Sequence, residues 1–141
     1  MKLLRTVVVF DAADLDEESR FWAAVLKGRV IAEPTWHSVI DESGEWRMGF
    51  QLNPTHVKPE WPNGLQQQQI HLDLHATDHH AAHAAHAEVI ELGATLLQAA
   101  DSMESEEGFQ VYADPAGHPF CIGWGQPTSE QLANFLKKQF G

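Results

Sequence analysis

The segment "QIHLDLHATDHHAAHAAHAE", residues 69–88, holds six of the nine histidines of the chain, and imidazoles at that density can ligate metal or move protons. They divide by the element that carries them. Side chains alternate along a strand, so His71, Asp73 and His75 share one face while Ile70, Leu72 and Leu74 share the other. An imidazole beside a carboxylate can exchange a proton or hold a cation, and the apolar trio must turn toward a helix layer. Further on, His79, His83 and His86 recur at helical spacing along one flank, close enough to grip a soft divalent metal. That helix buries Ala82, Ala85, Val89 and Leu92, so its histidines, His80 included, are expected to face water with no cleft or supporting shell.

The elements that position these residues come twice in the same order. "LRTVVVF" reads as a strand that stops at "DAAD", and "DLDEESRFWAAVLKG" as a helix capped by Asp14, with Glu17 in capping-box position and Gly28 as its stop. "RVIAEP", "TWHSVID" and "WRMGFQLNP" follow as three short strands. From residue 69 the order recurs: the histidine strand, a helix capped by Thr77 or Asp78 that runs to Leu92 before Gly93, then "ATLLQA", "GFQVYA" and "HPFCIGW". The pattern is βαβββ twice, over roughly residues 4–54 and 69–124, which is an α+β class with two modules around one core. Between the modules, about residues 55–68 form a proline- and glutamine-rich linker. Residues 128–140 read as a terminal helix with Ser129 as cap and Leu132, Phe135 and Leu136 as an apolar stripe that seals an edge or an interface.

Bulk composition excludes several function classes. Twenty acids against nine bases give a net charge of −11, which repels phosphate backbones and anionic membranes, so neither nucleic acid nor membrane is an expected partner. The apolar run from Leu3 to Phe10 is short and broken by Arg5 and Thr6, and the single cysteine, Cys121, can form no internal disulfide. A cytoplasmic protein is expected. Among the five tryptophans, Trp22 and Trp46 read as core, while Trp36, Trp61 and Trp124 are candidates for a cavity mouth or interface, with core as the default.

The doubled βαβββ unit, "DL" opening the first helix, "FW" within it, a glycine at each helix end and "YADPAGHPFCI" before and into the last strand resemble the vicinal oxygen chelate superfamily. That superfamily includes glyoxalase I, bleomycin-resistance proteins and extradiol dioxygenases, and the resemblance is to its glyoxalase-like branch. It covers roughly residues 4–124 and implies a single glyoxalase-like domain across residues 1–141, its modules curling one mixed sheet into an open cup. Metal-dependent members take ligands from the first and last strand of each module. Counting from the helix caps, the resemblance places these positions at Val7, Gln51, His71 and Cys121. Valine cannot ligate, so the metal candidates are His71 and Gln51, in an incomplete set; no cofactor is the favoured expectation, and a divalent metal is the other.

Alternation then fills the cup with Arg47, Gln51, His71, Asp73, Tyr112 and Cys121, with His75 on the same face, and sends Trp46, Met48, Phe50 and Leu52 under the helices. The expected roles are His71 as base or metal ligand, Asp73 as its orienter, Arg47 as clamp for an anionic oxygen, and Cys121 as an inert buried thiol. The expected function is glyoxalase-like small-molecule binding, as a degenerate or unusual lyase or dioxygenase-type oxidoreductase. A non-enzymatic binder that sequesters a drug or metabolite is the alternative, and a module that has lost its site is a third. A homodimer is expected, with the modules pairing either within a chain or between chains.

Overall fold

The computed structural model describes residues 1–141. Its elements run β1 (Val8–Ala12), α1 (Leu15–Val25), β2 (Gly28–Glu33), β3 (Trp36–Asp41) and β4 (Trp46–Leu52), then β5 (Leu72–Ala76), α2 (His79–Glu91), β6 (Thr95–Gln98), β7 (Gly108–Ala113) and β8 (Pro119–Trp124), and last α3 (Ser129–Phe140). The strands make two four-stranded mixed sheets, β1-β4-β3-β2 and β5-β8-β7-β6, rather than one continuous sheet. In each, the first and last strands of the module lie side by side and parallel, and the other pairs are antiparallel. The fold is α+β with two βαβββ modules and a terminal helix.

Local chemistry explains the helix boundaries. Asp14 and Asp78 each accept a hydrogen bond from the backbone N–H three residues on, at 3.0 and 2.8 Å, satisfying a donor that the first helical turn leaves free. The left-handed turn after α1 falls on Lys27 (φ 52°), not on Gly28. Gly28 is small for another reason: a Cβ there would come within 2.7 Å of the Ile40 carbonyl oxygen. After α2 the left-handed residue is Gly93 (φ 109°), as its position suggests. The cap of α3 is Thr128 rather than Ser129, in a reciprocal box with Gln131.

One apolar cluster draws on both modules, with Phe10, Trp22 and Phe50 from the first and Val89, Tyr112 and Phe120 from the second. Trp22 is fully buried and meets Phe120 edge-on, with ring centroids 5.2 Å apart. Its indole N–H lies 3.0 Å from Glu18 Oε1 and 2.9 Å from Asp114 Oδ2. Backbone N–H groups complete the seam, Ala116 donating to Glu18 Oε2 and His118 to Asp114 Oδ1. His118 reaches across to the Asp11 carbonyl at 2.7 Å and lies against Phe10. The turn "DPAGH" is therefore the clasp by which the second module grips α1 and β1. Burial, then the hydrogen bond and charge of Asp114, push the Glu18 carboxyl far above the ordinary carboxylate range, so it stays protonated and donates to Asp114.

Three strand expectations are corrected. β5 begins at Leu72, so His71 precedes the strand and Ile70, 71% exposed, does not join the apolar face. A bulge pairs Val39 with Met48 but Ile40 with Trp46, leaving Arg47 without a partner. The extra residue turns Trp46 to the face away from the helices, where its ring meets Trp36 edge-on at 6.5 Å. Arg47 swings out to Asp41 at 3.2 Å.

Candidate functional site in the second module

The parallel pair β5–β8 sets Asp73 opposite Cys121 and His75 opposite Gly123, and β7 adds Val111 beside Cys121 and Phe109 beside Gly123. These six residues share the face away from α2, because their neighbours Leu72, Leu74, Tyr112, Phe120 and Ile122 pack into the cluster below. With His71, Trp61 of the linker and Gln126 after β8 they line a cavity of about 330 Å³, a size that suits a small organic molecule. No strand of the first module lines it. A larger depression of about 640 Å³ between α1 and the β3–β4 turn carries both signs of charge, at Lys27, Arg29, Asp41 and Glu42, but no imidazole or thiol.

At the floor of the cavity His71 Nε2 lies 3.2 Å from Asp73 Oδ1, and one donor atom each from His71, Asp73 and Cys121 fall within 4.8 Å of one another. The side chains of His71 and Asp73 are 37% and 57% exposed, so both can be reached from solvent. Burial pushes the Cys121 thiol up to about 11, and the negative charge of the neighbouring Asp73 carboxylate adds to the shift. A thiol that holds its proton at neutral pH is a poor nucleophile.

Sequence reasoning reaches part of this group. His71, Asp73 and Cys121 are brought together, and His75 joins them. Tyr112 is not there: it pairs with Phe120 in β7–β8, which puts it on the helix side, fully buried, with its hydroxyl 2.8 Å from His86 Nδ1 and accepting from Gln110 Nε2. That contact also corrects the solvent-facing expectation for His86. Gln51 and Arg47 belong to the first sheet, away from the cavity. Register places Gly49, not Gln51, opposite Val9 as Cys121 stands opposite Asp73; Gln51 lies opposite Asp11, two pairs further on. Trp61 lines the cavity as one of the candidate tryptophans, whereas Trp124 is fully buried, its indole N–H on the Ser105 carbonyl. Alternation within "GFQVYA" alone does not point to Phe109 and Val111; pairing it against "PFCIGW" so that Val111 meets Cys121 puts both on the cavity face.

The donor set can be tested against a metal. Nitrogen, carboxylate oxygen and sulfur within reach of one another suit a borderline cation such as Zn²⁺, with room for an exogenous ligand; Mg²⁺ and Mn²⁺ need more oxygen. Val7 and Gly49 supply nothing from the first module.

Comparison with known proteins agrees with this architecture. No curated protein matches the chain. Among solved structures, it superposes on a FosX fosfomycin resistance protein from Listeria monocytogenes with a TM-score of 0.66 at 12% identity, over 95% of this chain and 99% of that one. A glyoxalase/bleomycin resistance protein/dioxygenase family enzyme from Burkholderia phytofirmans PsJN gives 0.62 at 18% identity, over 85% and 97%. FosX from Mesorhizobium loti gives 0.62 at 16%, over 94% and 99%. At such identities the likeness is one of fold. Residues 7–123 match the glyoxalase-like domain, nearly the whole of both modules, and the chain belongs to that family.

Proposed function

We propose that the chain binds a small organic molecule in the hollow of the second module, and that any chemistry done there is proton transfer of the lyase or oxidoreductase kind centred on His71. The observation that carries this reading is the convergence of His71, Asp73 and Cys121 on one cavity walled by Trp61 and Phe109. Aromatic walls favour a flat or apolar ligand body, and the polar floor orients an oxygen-bearing group. Asp73 is close enough to hold the imidazole of His71 in one orientation as it takes a proton. Cys121 keeps its own proton beside the Asp73 carboxylate.

Binding without a cofactor is the form we favour, since the first module contributes no donor. Where a metal is taken up, His71, Asp73 and Cys121 would hold it, and it would supply Lewis-acid polarisation of a ligand oxygen. A second copy of the chain closes the hollow in this reading. The cavity is open enough to leave Asp73 more than half exposed, and α3 carries Leu132, Phe135 and Leu136 without burying any residue. Light scattering should therefore give twice the chain mass.

A non-enzymatic binder is the second reading, favoured by Val7 where the resemblance expects a ligand and by Gly49 in the place that Cys121 takes in the second module. The net charge of −11 would incline such a binder toward neutral or cationic ligands. Native mass spectrometry of untagged protein exposed to a small-molecule extract tests both. Wild type should retain a ligand mass that the half-exposed substitution Phe109→Asp loses, and conversion of that compound marks an enzyme. Equal retention by wild type and variant would remove the cavity from consideration.

A further inference from the structure

We infer that His79, His83 and Glu104 form a second binding site, for a borderline divalent cation such as Zn²⁺, on the outer surface of the second module at the joint between α2 and the loop of residues 99–107. The sequence pattern offers two imidazoles one helical turn apart, which share a face but lack a third ligand. The fold supplies it. Glu104, twenty-one residues beyond His83, brings its carboxylate to both rings, with Oε1 at 2.8 Å from His83 Nε2 and Oε2 at 3.7 Å from His79 Nδ1. Two ligands on a tetrahedral Zn²⁺ with bonds of about 2.0–2.1 Å stand roughly 3.3 Å apart. The two contacts reach different oxygens of Glu104, so its carboxylate would bind through both, and the three side chains, which do not bring their donor atoms within 4.8 Å of one another as the cavity donors do, would draw together around the ion.

The second observation concerns His79 itself. Its Nδ1 is shielded from solvent yet makes no hydrogen bond, although its side chain is 25% exposed overall. A desolvated ring nitrogen without a partner is costly unless something occupies its lone pair. The ring of His80, with its centroid 4.0 Å away, packs against that imidazole and limits its rotation. His86, the third histidine of the series, is spent on Tyr112 and takes no part.

Electrostatics permits the cation. The start of α2 is the positive end of its dipole and carries no acidic residue in its first turn, which disfavours a metal there. Against this stand Asp101, Glu104, Glu106 and Glu107 of the neighbouring loop and the acidic balance of the chain. Two imidazoles and a carboxylate match the donors of many Zn²⁺ sites, with water completing the shell. The cation would pin the loop to α2, complementing the anchor that Trp124 already makes on Ser105.

Zn²⁺ titration of the untagged chain by calorimetry, with hydrogen exchange on the same samples, tests the site apart from the cavity. His83→Ala and Glu104→Gln should each weaken one Zn²⁺ equivalent at least about tenfold. In wild type, Zn²⁺ should slow amide exchange in residues 101–107. The double variant His71→Ala, Cys121→Ser should keep both signals, since its changes lie only in the cavity. Wild-type affinity in His83→Ala and Glu104→Gln, loss of the site in the cavity variant, or no Zn²⁺-dependent protection of the loop would each overturn the assignment.

Discussion

In the first module Val9 pairs with Gly49 and Trp36 with Gln51; in the second the same places hold Asp73 with Cys121 and Phe109 with Gly123. The aromatic residue is on the same strand at the same register in both, and its fate differs. Gly49 has no side chain, so the indole of Trp36 lies across it, and a Cβ there would collide with the ring. Cys121 does have one, and Phe109 stands beside it as a wall of the cavity. One small residue in the last strand thus decides whether an aromatic neighbour fills the face or leaves it hollow. The bulge that adds Trp46 to the filled side completes the contrast.

What the modules share is the seam, and breaking it should give the largest effect. Trp22 is fully buried, packs on Phe120 and satisfies both Glu18 and Asp114. Trp22→Ala should cost about 3–5 kcal/mol, from lost burial and two stranded carboxyl groups. Chemical denaturation should show both modules unfolding together at lower denaturant. If the midpoint moves no further than it does for a surface substitution, the two modules do not depend on this clasp.

Two glycines test the contrast directly. Gly49→Ala should displace Trp36 and destabilise the first module by about 1–3 kcal/mol, the usual range for overpacking. At Gly123 an added Cβ meets nothing nearer than 3.5 Å and the backbone needs no left-handed angle, so Gly123→Leu should fold. Its side chain would occupy the cavity and weaken ligand retention about tenfold or more, which is roughly 1.4 kcal/mol. Undiminished retention in Gly123→Leu would mean that the ligand sits elsewhere.

The seam also titrates. The Glu18 carboxyl is held protonated in the folded protein, whereas in the unfolded chain it ionises near its ordinary 4.5. The native state then binds more protons, so this contribution is fully present below about pH 4.5 and is lost as pH rises, by at most about 1.4 kcal/mol per pH unit. Glu18→Gln cannot ionise and should flatten the fall in stability between pH 5 and 8, on the order of one kcal/mol per unit. Wild type and variant declining in parallel would show that another group sets the slope.

Much of the architecture could be read from residue order because its determinants are local: Asp14 and Asp78 cap helices, and β-branched runs make strands. Parity puts Asp73, His75 and Cys121 on one face because β5 and β8 are regular, and His71, just before β5, reaches the same cavity. It failed at Trp46 and Arg47, where a bulge adds one residue and inverts the alternation, an event with no local signature in "WRMGF". Tyr112 went astray for lack of the β7–β8 register, and the meeting of Glu104 with His83 depends on how a loop folds back over a helix. Such contacts are set by tertiary packing.

The smallest expected effect sharpens the comparison as much as the largest. Arg47, by alternation alone, would clamp an anionic ligand; in the structure it is the bulged residue, its side chain about half exposed and paired with Asp41. Asp41 does not depend on it. The Ser43 hydroxyl and the Glu45 backbone N–H come first among the groups that hold its carboxyl down to about 2, ahead of Arg47. An exposed pair of this kind contributes little to stability. Arg47→Ala should leave the melting temperature within error, and ligand retention should match wild type, since the residue sits on the filled module and not the hollow one. A drop in retention of tenfold or more would mean that the first module of a second copy brings Arg47 into the hollow. The asymmetry between the modules would then describe the single chain only, and the binding site would belong to the pair.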